Sequence, residues 1–329
     1  MAHIVKNIAE LVGHTPLFEF VRLEEKYGLK ATVLGKLEYF NPSGSIKDRT
    51  ALNMLLDAEE KDLIKPGDTI VEDTSGNTGI GLAAFAASRG YKLKIFLEED
   101  QSIERRKILK AYGADVMFTS QVPRIKEAKE AGIFSMAFYQ KAIEEYCAAQ
   151  ETKHFFINQM SNESNPNVHY STTGPEIWND ADGKVDILVA TAGTGGTITG
   201  LSKFFKEKNP DIRIVAVQAD KKSRTGSSDN PKTIDGIAPF YGDDIRNEYK
   251  APFMVSFEYD ECIEVSGEDT YSTGRDIART EGIFLGQSAA AAMVAAKQVA
   301  QRPENEGKNI VVVLADNGMK YLSTQMYDK

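Results

Sequence analysis

Cysteine is nearly missing from this chain: two in 329 residues, Cys147 and Cys262, with no CxxC spacing. That sets aside a disulfide framework and a Cys-based zinc site, and reads each thiol as a small core or interface residue. Histidine is scarce as well. None of the four shows the spacing of metal ligands, and His14 and His169 read as structural, so no metal is expected. No apolar run is long enough to span a bilayer. No basic run offsets the formal charge of −9, which argues against sequence-independent nucleic-acid binding, since that draws its affinity from clustered Lys and Arg. The opening residues carry neither a signal-peptide nor a transit-peptide pattern, and the expected location is the cytoplasm. Low-complexity tracts and short repeats are missing too, which excludes solenoids and propellers.

What the chain does have is a 42% hydrophobic composition and a length more typical of two domains than one. Short β-rich apolar runs fall at residues 31–39, 69–72, 93–97, 116–119, 155–158, 186–191, 212–218 and 310–315. Ala-rich stretches with helical spacing, such as 81–88 and 289–300, lie between several of them. This alternation predicts an α/β protein with mostly parallel sheets covered by helices. The polar, Asn-rich segment 159–167 is the candidate crossing between two sheets. In such folds functional loops collect at the carboxyl ends of strands.

Three small-residue motifs occupy such positions. Gly193-Thr194-Gly195-Gly196-Thr197 follows the strand at 186–191 and precedes a helix-like run at 198–205. Its glycines let backbone N–H groups converge, its hydroxyls add donors, and the helix start adds partial positive charge, all suited to a phosphate. No Gly-Lys-Ser/Thr closes it, so it is not a Walker A loop. Asp73-Thr74-Ser75-Gly76-Asn77-Thr78-Gly79 follows a second strand and suits a small carboxylate and a phenolic oxygen. Within the helix that it opens, Gly79-Ile80-Gly81-Leu82-Ala83-Ala84 matches a dinucleotide fingerprint, with Glu98-Glu99-Asp100 at about the distance of a ribose contact. However, that fingerprint begins at the strand end, and here the residues from Asp73 to Thr78 intervene, so the glycines read as a close helix contact. The third motif, Asn41-Pro42-Ser43-Gly44-Ser45-Ile46-Lys47-Asp48-Arg49, sets a lysine where a loop turns into a helix. A lone loop lysine is ordinarily solvated surface. A phosphate cradle, a carboxylate loop and such a lysine together point to pyridoxal phosphate, whose aldehyde forms a Schiff base with a lysine amine.

On these motifs, together with Ser102-Ile103-Glu104-Arg105-Arg106 and Thr172-Thr173-Gly174-Pro175-Glu176, the chain resembles the fold-type II pyridoxal-phosphate enzymes of the cysteine synthase and cystathionine β-synthase family over nearly its full length. The resemblance implies two domains, each with a central mostly parallel sheet flanked by helices, as in the tryptophan synthase β-like fold. It implies a smaller substrate-carboxylate domain at 48–158, a larger phosphate-binding domain from 1–47 and 159–329, and a homodimer. It makes Lys47 the Schiff-base lysine and acid/base, assigns Asn77 to the phenolic oxygen, and gives the phosphate to Gly193, Thr194, Gly195, Gly196 and Thr197. Thr74, Ser75, Thr78 and Gln159 would hold the substrate carboxylate, with Ser75 also catalytic. Ser288 would meet the pyridine nitrogen. A serine cannot keep that nitrogen protonated as an aspartate would, which favours β-elimination over transamination or racemisation.

The chain departs from the family pattern in three places. A Gly-Met-Lys-Gly-Ala-like stretch is replaced around 119–126 and followed by a long segment to residue 150. The usual Gln before a Gly-Ile-Gly loop is Asp235, and Ser-Ser-Gly-Ala has become Ser288-Ala289-Ala290-Ala291. Asp235 is either a solvated turn residue or a catalytic base near the substrate β-carbon. The expected reaction is β-replacement through α-aminoacrylate on a small amino acid with a β-leaving group, O-acetylserine, serine, O-phosphoserine or cysteine, with cysteine synthesis from O-acetylserine and sulfide the leading form. The alternative consumes cysteine, releases hydrogen sulfide and forms serine, lanthionine or another β-substituted alanine, with Asp235 activating the second nucleophile. A nicotinamide dehydrogenase and a non-catalytic partner-binding relative are the rivals outside this class.

Overall fold

The computed structural model describes residues 4–74, 76–98, 102–132, 136–225, 231–241 and 250–328. In chain order its strands are β1 (Leu17–Glu19), β2 (Thr32–Leu37), β3 (Thr69–Asp73), β4 (Lys92–Leu97), β5 (Asp115–Phe118), β6 (His154–Phe156), β7 (Ile187–Thr191), β8 (Arg213–Ala219), β9 (Glu261–Val265) and β10 (Asn309–Leu314). The α-helices are α1 (Val21–Tyr27), α2 (Lys47–Glu60), α3 (Asn77–Arg89), α4 (Ile103–Ala111), α5 (Pro123–Glu130), α6 (Met136–Ala148), α7 (Ser164–Val168), α8 (Gly174–Asp180), α9 (Gly196–Lys208), α10 (Gly267–Glu281) and α11 (Gln287–Ala300).

The strands form two sheets, one of six in the order β1-β2-β10-β7-β8-β9 and one of four in the order β5-β4-β3-β6. Their pairings are parallel except that β1 runs antiparallel to β2. The chain leaves the four-stranded sheet after β6 and enters β7 of the other, so the polar segment 159–167 lies on that passage. Two strands were not anticipated. β1 is a three-residue edge, and β9 carries a Glu-Cys-Ile-Glu-Val pattern without a continuous apolar run.

Both faces of the larger sheet are buried, and the pleat assigns its side chains. Ile187, Val189, Val215, Val217, Ile310 and Val312 face a core shared with α10 and α11. Leu188, Ala190, Ile214, Ala216, Val311 and Val313 face a second core with Ile198, Leu201, Phe204 and Phe205 of α9. This explains why these strands read as unbroken apolar runs. Each fully buried aliphatic side chain contributes on the order of 1.5–3 kcal/mol. The smaller sheet is covered by α2, α3 and α4 through Ile70, Leu93 and Ile95 on one side. Val71 and Phe96 meet Ile125 of α5 and Ile143 of α6 on the other, so the segment that departs from the family pattern supplies this cover.

The decoy glycines sit inside α3. A Cβ on Gly81 would lie 3.1 Å from Ala51 Cβ and 3.2 Å from the Lys47 carbonyl oxygen, so this glycine lets α2 pack against α3, as its sequence position implied.

Candidate active site

The loops at the carboxyl ends of β2, β3, β7, β8 and β10 converge on one cavity of about 300 Å³. Lys47, Thr74, Asn77, Thr78, Gln159, Gly193, Thr194, Thr197, Asp235 and Ser288 all line it. Residues predicted from segments up to 241 positions apart in the chain thus meet at one place. Ser75 lies outside the described residues.

Lys47 opens α2. The preceding loop is held by Asp48, whose carboxylate accepts the Ser43 backbone N–H at 2.6 Å and the Ser43 hydroxyl. Behind it the buried guanidinium of Arg49 bonds Glu38 at 2.7 Å and Glu176 at 2.6 Å, which ties the start of α2 to α8. Burial pushes the Lys47 ammonium down to about 8, against the attraction of the neighbouring Glu72. Lys47 Nζ has no hydrogen-bonding partner among the described residues. A half-buried amine with a lowered pKa and no partner among the described residues is a nucleophile.

The phosphate-type loop is built by close backbone packing. Gly195 has φ +92° and directly precedes α9, whose N-terminus opens toward the cavity. A Cβ on Gly193 would stand 2.7 Å from the Gly236 carbonyl oxygen, and one on Gly196 would stand 2.3 Å from Asn165 Oδ1. The hydroxyls are held from behind: Asn165 Nδ2 donates to Thr194 Oγ1 at 3.0 Å, and Thr197 Oγ1 lies 3.2 Å from His169 Nε2. His169 is fully buried among Thr50, Thr173 and Thr197, and burial lowers its pKa well below the ordinary value, so it is a neutral support. It belongs to a π-helical turn, His169–Thr173, between α7 and α8.

The carboxylate-type loop leaves β3 beside Glu72, a fully buried acid that burial raises to about 8 and that accepts the backbone N–H groups of Asp73 and Gln159, each at 2.9 Å. Thr78 Oγ1 donates to Gln159 Oε1, which brings α3 and the segment after β6 together. Asn77 is more committed than its sequence position showed. Its amide N–H donates to Asp316 Oδ2 at 2.7 Å, and its Oδ1 accepts from Lys320 Nζ at 2.9 Å. Tyr321 donates to the same Asp316 oxygen at 2.7 Å. Asp316, Lys320 and Tyr321 were not singled out from the sequence, because nothing local marks them as partners of Asn77.

Asp235 is not a free turn residue. Its Oδ2 lies 3.1 Å from Arg105 Nη1, and Arg105 is 3% exposed. Its backbone N–H donates to Gln287 Oε1 at 2.7 Å, next to Ser288 at the start of α11.

These donors suit pyridoxal phosphate. An amine that can form a Schiff base, a helix N-terminus for a phosphate, an amide and a hydroxyl share one cavity, and the glycine cradle leaves no space for a side chain at Gly193 or Gly196. The family model described as "Pyridoxal-phosphate dependent enzyme" matches residues 8–316. The chain belongs to this family. Cysteine synthase A of Escherichia coli (strain K12) is 38% identical over 337 residues, covering 99% of this chain and 97% of that protein. A probable cysteine synthase of Bacillus subtilis (strain 168) is 41% identical over 335 residues, covering 99% of both. Among solved structures, the cysteine synthase (OASS) from Entamoeba histolytica superposes with a TM-score of 0.81 at 36% identity, covering 99% of this chain and 92% of that one. This pyridoxal-phosphate enzyme is therefore a member of the cysteine synthase family, and the cysteine-consuming alternative is not favoured.

Proposed function

We propose that this enzyme catalyses β-replacement on O-acetylserine with sulfide, giving L-cysteine and acetate. The observation that carries the reading is the convergence of Lys47, the 193–197 loop and the Thr74, Thr78 and Gln159 group on one cavity.

In this reading Lys47 Nζ would hold the cofactor aldehyde, and the backbone of Gly193 to Thr197 with the N-terminus of α9 would hold its phosphate. Asn77 would meet the phenolic oxygen, and Ser288 would meet the ring nitrogen. When bound, pyridoxal phosphate supplies an electron sink for negative charge at the substrate α-carbon. The hydroxyls of Thr74 and Thr78 and the amide of Gln159 orient the substrate carboxylate. Lys47 Nζ would take the substrate α-proton. Acetate departs from the β-carbon with its bonding pair, sulfide forms the new C–S bond there, and Lys47 returns the proton to the α-carbon.

The division into a smaller 48–158 domain and a larger one from 1–47 and 159–329 belongs to the same proposal. It is supported by β3 to β6 pairing among themselves and the other strands pairing in the larger sheet. A cytoplasmic homodimer is part of the same proposal, supported by the family resemblance. No helix among the described residues is long and apolar enough to cross a membrane.

The test is product identification by mass spectrometry on the cofactor-loaded enzyme. O-acetylserine with sulfide should give cysteine and acetate. Cysteine supplied alone or with thiols should be consumed far more slowly. Rapid sulfide release from cysteine without cysteine formation from O-acetylserine would overturn the proposal.

A further inference from the structure

We propose that Asp235 is a specificity residue: its ion pair with Arg105 inside the cavity makes the enzyme take a β-substituted alanine with an uncharged leaving group and reject one that carries a phosphate. This rests on the β-replacement reading above and names its donor class.

The two charges come from opposite sides of the cavity. Arg105 stands on α4, which covers the smaller sheet, and Asp235 stands on the stretch between β8 and β9 of the larger one. Both line the cavity that holds Lys47, Thr78 and Gln159. Neither is left to chance. The Arg105 guanidinium lies 5.0 Å from the centre of the Tyr321 ring, and its side chain runs so close to the carboxylate loop that a Cβ on Gly76 would stand 2.6 Å from Arg105 Cδ. Asp235 is fixed through its backbone by Gln287, whose Nε2 donates to Tyr271 Oη at 2.9 Å. Asp316 is a second acid near Arg105, and its Oδ2 accepts from Asn77 and Tyr321.

A buried guanidinium beside a substrate site is an anion receptor, because its planar donors match phosphate and carboxylate oxygens. Here the carboxylate of Asp235 already answers that charge at 3.1 Å. A donor with a phosphate leaving group would have to displace Asp235 and then sit beside it. Two negative groups in a partly desolvated site repel strongly, which is a repulsive element of the kind that sets specificity. An acetyl ester brings no charge and leaves the pair intact. The same pair accounts for the departure of this chain at position 235: a glutamine there would leave the Arg105 charge without this carboxylate.

The experiment titrates the cofactor-loaded enzyme by calorimetry with two ligands that cannot eliminate: norvaline, as the uncharged probe, and the phosphonate isostere of O-phosphoserine. Wild type should bind norvaline more tightly than the phosphonate. Asp235→Asn should tighten the phosphonate roughly tenfold or more while norvaline changes much less, and the double variant Arg105→Gln with Asp235→Asn should lose that gain. Equal affinity of wild type for both ligands would overturn the proposal without any variant. So would an Asp235→Asn enzyme with no gain, or a gain that survives in the double variant. Failure of the β-replacement reading shows separately, as a wild type that makes no cysteine from O-acetylserine and sulfide.

Discussion

The two loops that face each other across the cavity are built by different means. The 193–197 loop of the larger sheet is made of backbone: Gly193 against the Gly236 carbonyl, Gly196 against Asn165, and hydroxyls backed by Asn165 and a neutral His169. The 74–78 loop of the smaller sheet is surrounded by ionisable side chains: Glu72 beneath it, Arg105 across Gly76, and Lys320 and Asp316 on Asn77. A site made of main-chain N–H groups keeps its geometry through sequence change but accepts no added atom. A site made of side chains can be retuned one residue at a time. The first suits a cofactor that never varies, and the second suits the part of the pocket that chooses among substrates.

The comparison can be broken most completely at Lys47, which serves both sides. Lys47→Ala should lower turnover ~10⁴-fold or more, since covalent attachment and proton transfer are lost together. Steady-state assay and loss of the cofactor's visible absorbance upon dialysis check this, and a yellow variant with normal turnover would refute it.

Gly196→Ala attacks the backbone-built side alone. The new methyl would meet Asn165 Oδ1 at 2.3 Å, and the displacement costs about 1–3 kcal/mol. Affinity for pyridoxal phosphate, measured by titration of the cofactor-free protein, should fall about tenfold or more, and the KM for O-acetylserine at saturating cofactor should move less.

Gln159→Ala attacks the other side. A hydrogen bond to a charged group is worth about 1.5–3 kcal/mol, so the KM for O-acetylserine should rise roughly ten- to hundredfold. Cofactor affinity should stay near wild type. A variant that loses cofactor instead would erase the distinction between the loops.

The smallest effect is one of pH. Lys47 has its pKa lowered to about 8 by burial, so its neutral amine grows in as pH rises toward that value and is complete above it. Acetylation of the cofactor-free protein, followed at Lys47 by mass spectrometry, should climb with pH and level off above about 8. Exposed lysines should keep climbing toward their ordinary range near 10.4. A Lys47 profile that tracks the exposed lysines would show that burial leaves it unperturbed.

Much of this protein is written locally. Unbroken apolar runs specify strands buried on both faces, and Ala-rich spacing specifies the helices over them, because each signal is carried within a few residues. The lysine at the start of α2 and the glycine loop before α9 are equally local, and both stand where their motifs placed them. β1 and β9 escaped for the opposite reason: one is three residues long, the other is interrupted by Glu261 and Glu264, and both are edges of the sheet defined by their neighbours. The electrostatics of the cavity were decided only by tertiary structure. Arg105 and Asp235 are 130 residues apart, and Asn77 and Lys320 are 243 apart, so no spacing rule connects them. The pKa of Lys47 likewise depends on what surrounds it. Sequence determined which chemical groups this enzyme owns; the fold determined which charges face one another where water is scarce, and there Coulomb interactions are strong enough to choose a substrate.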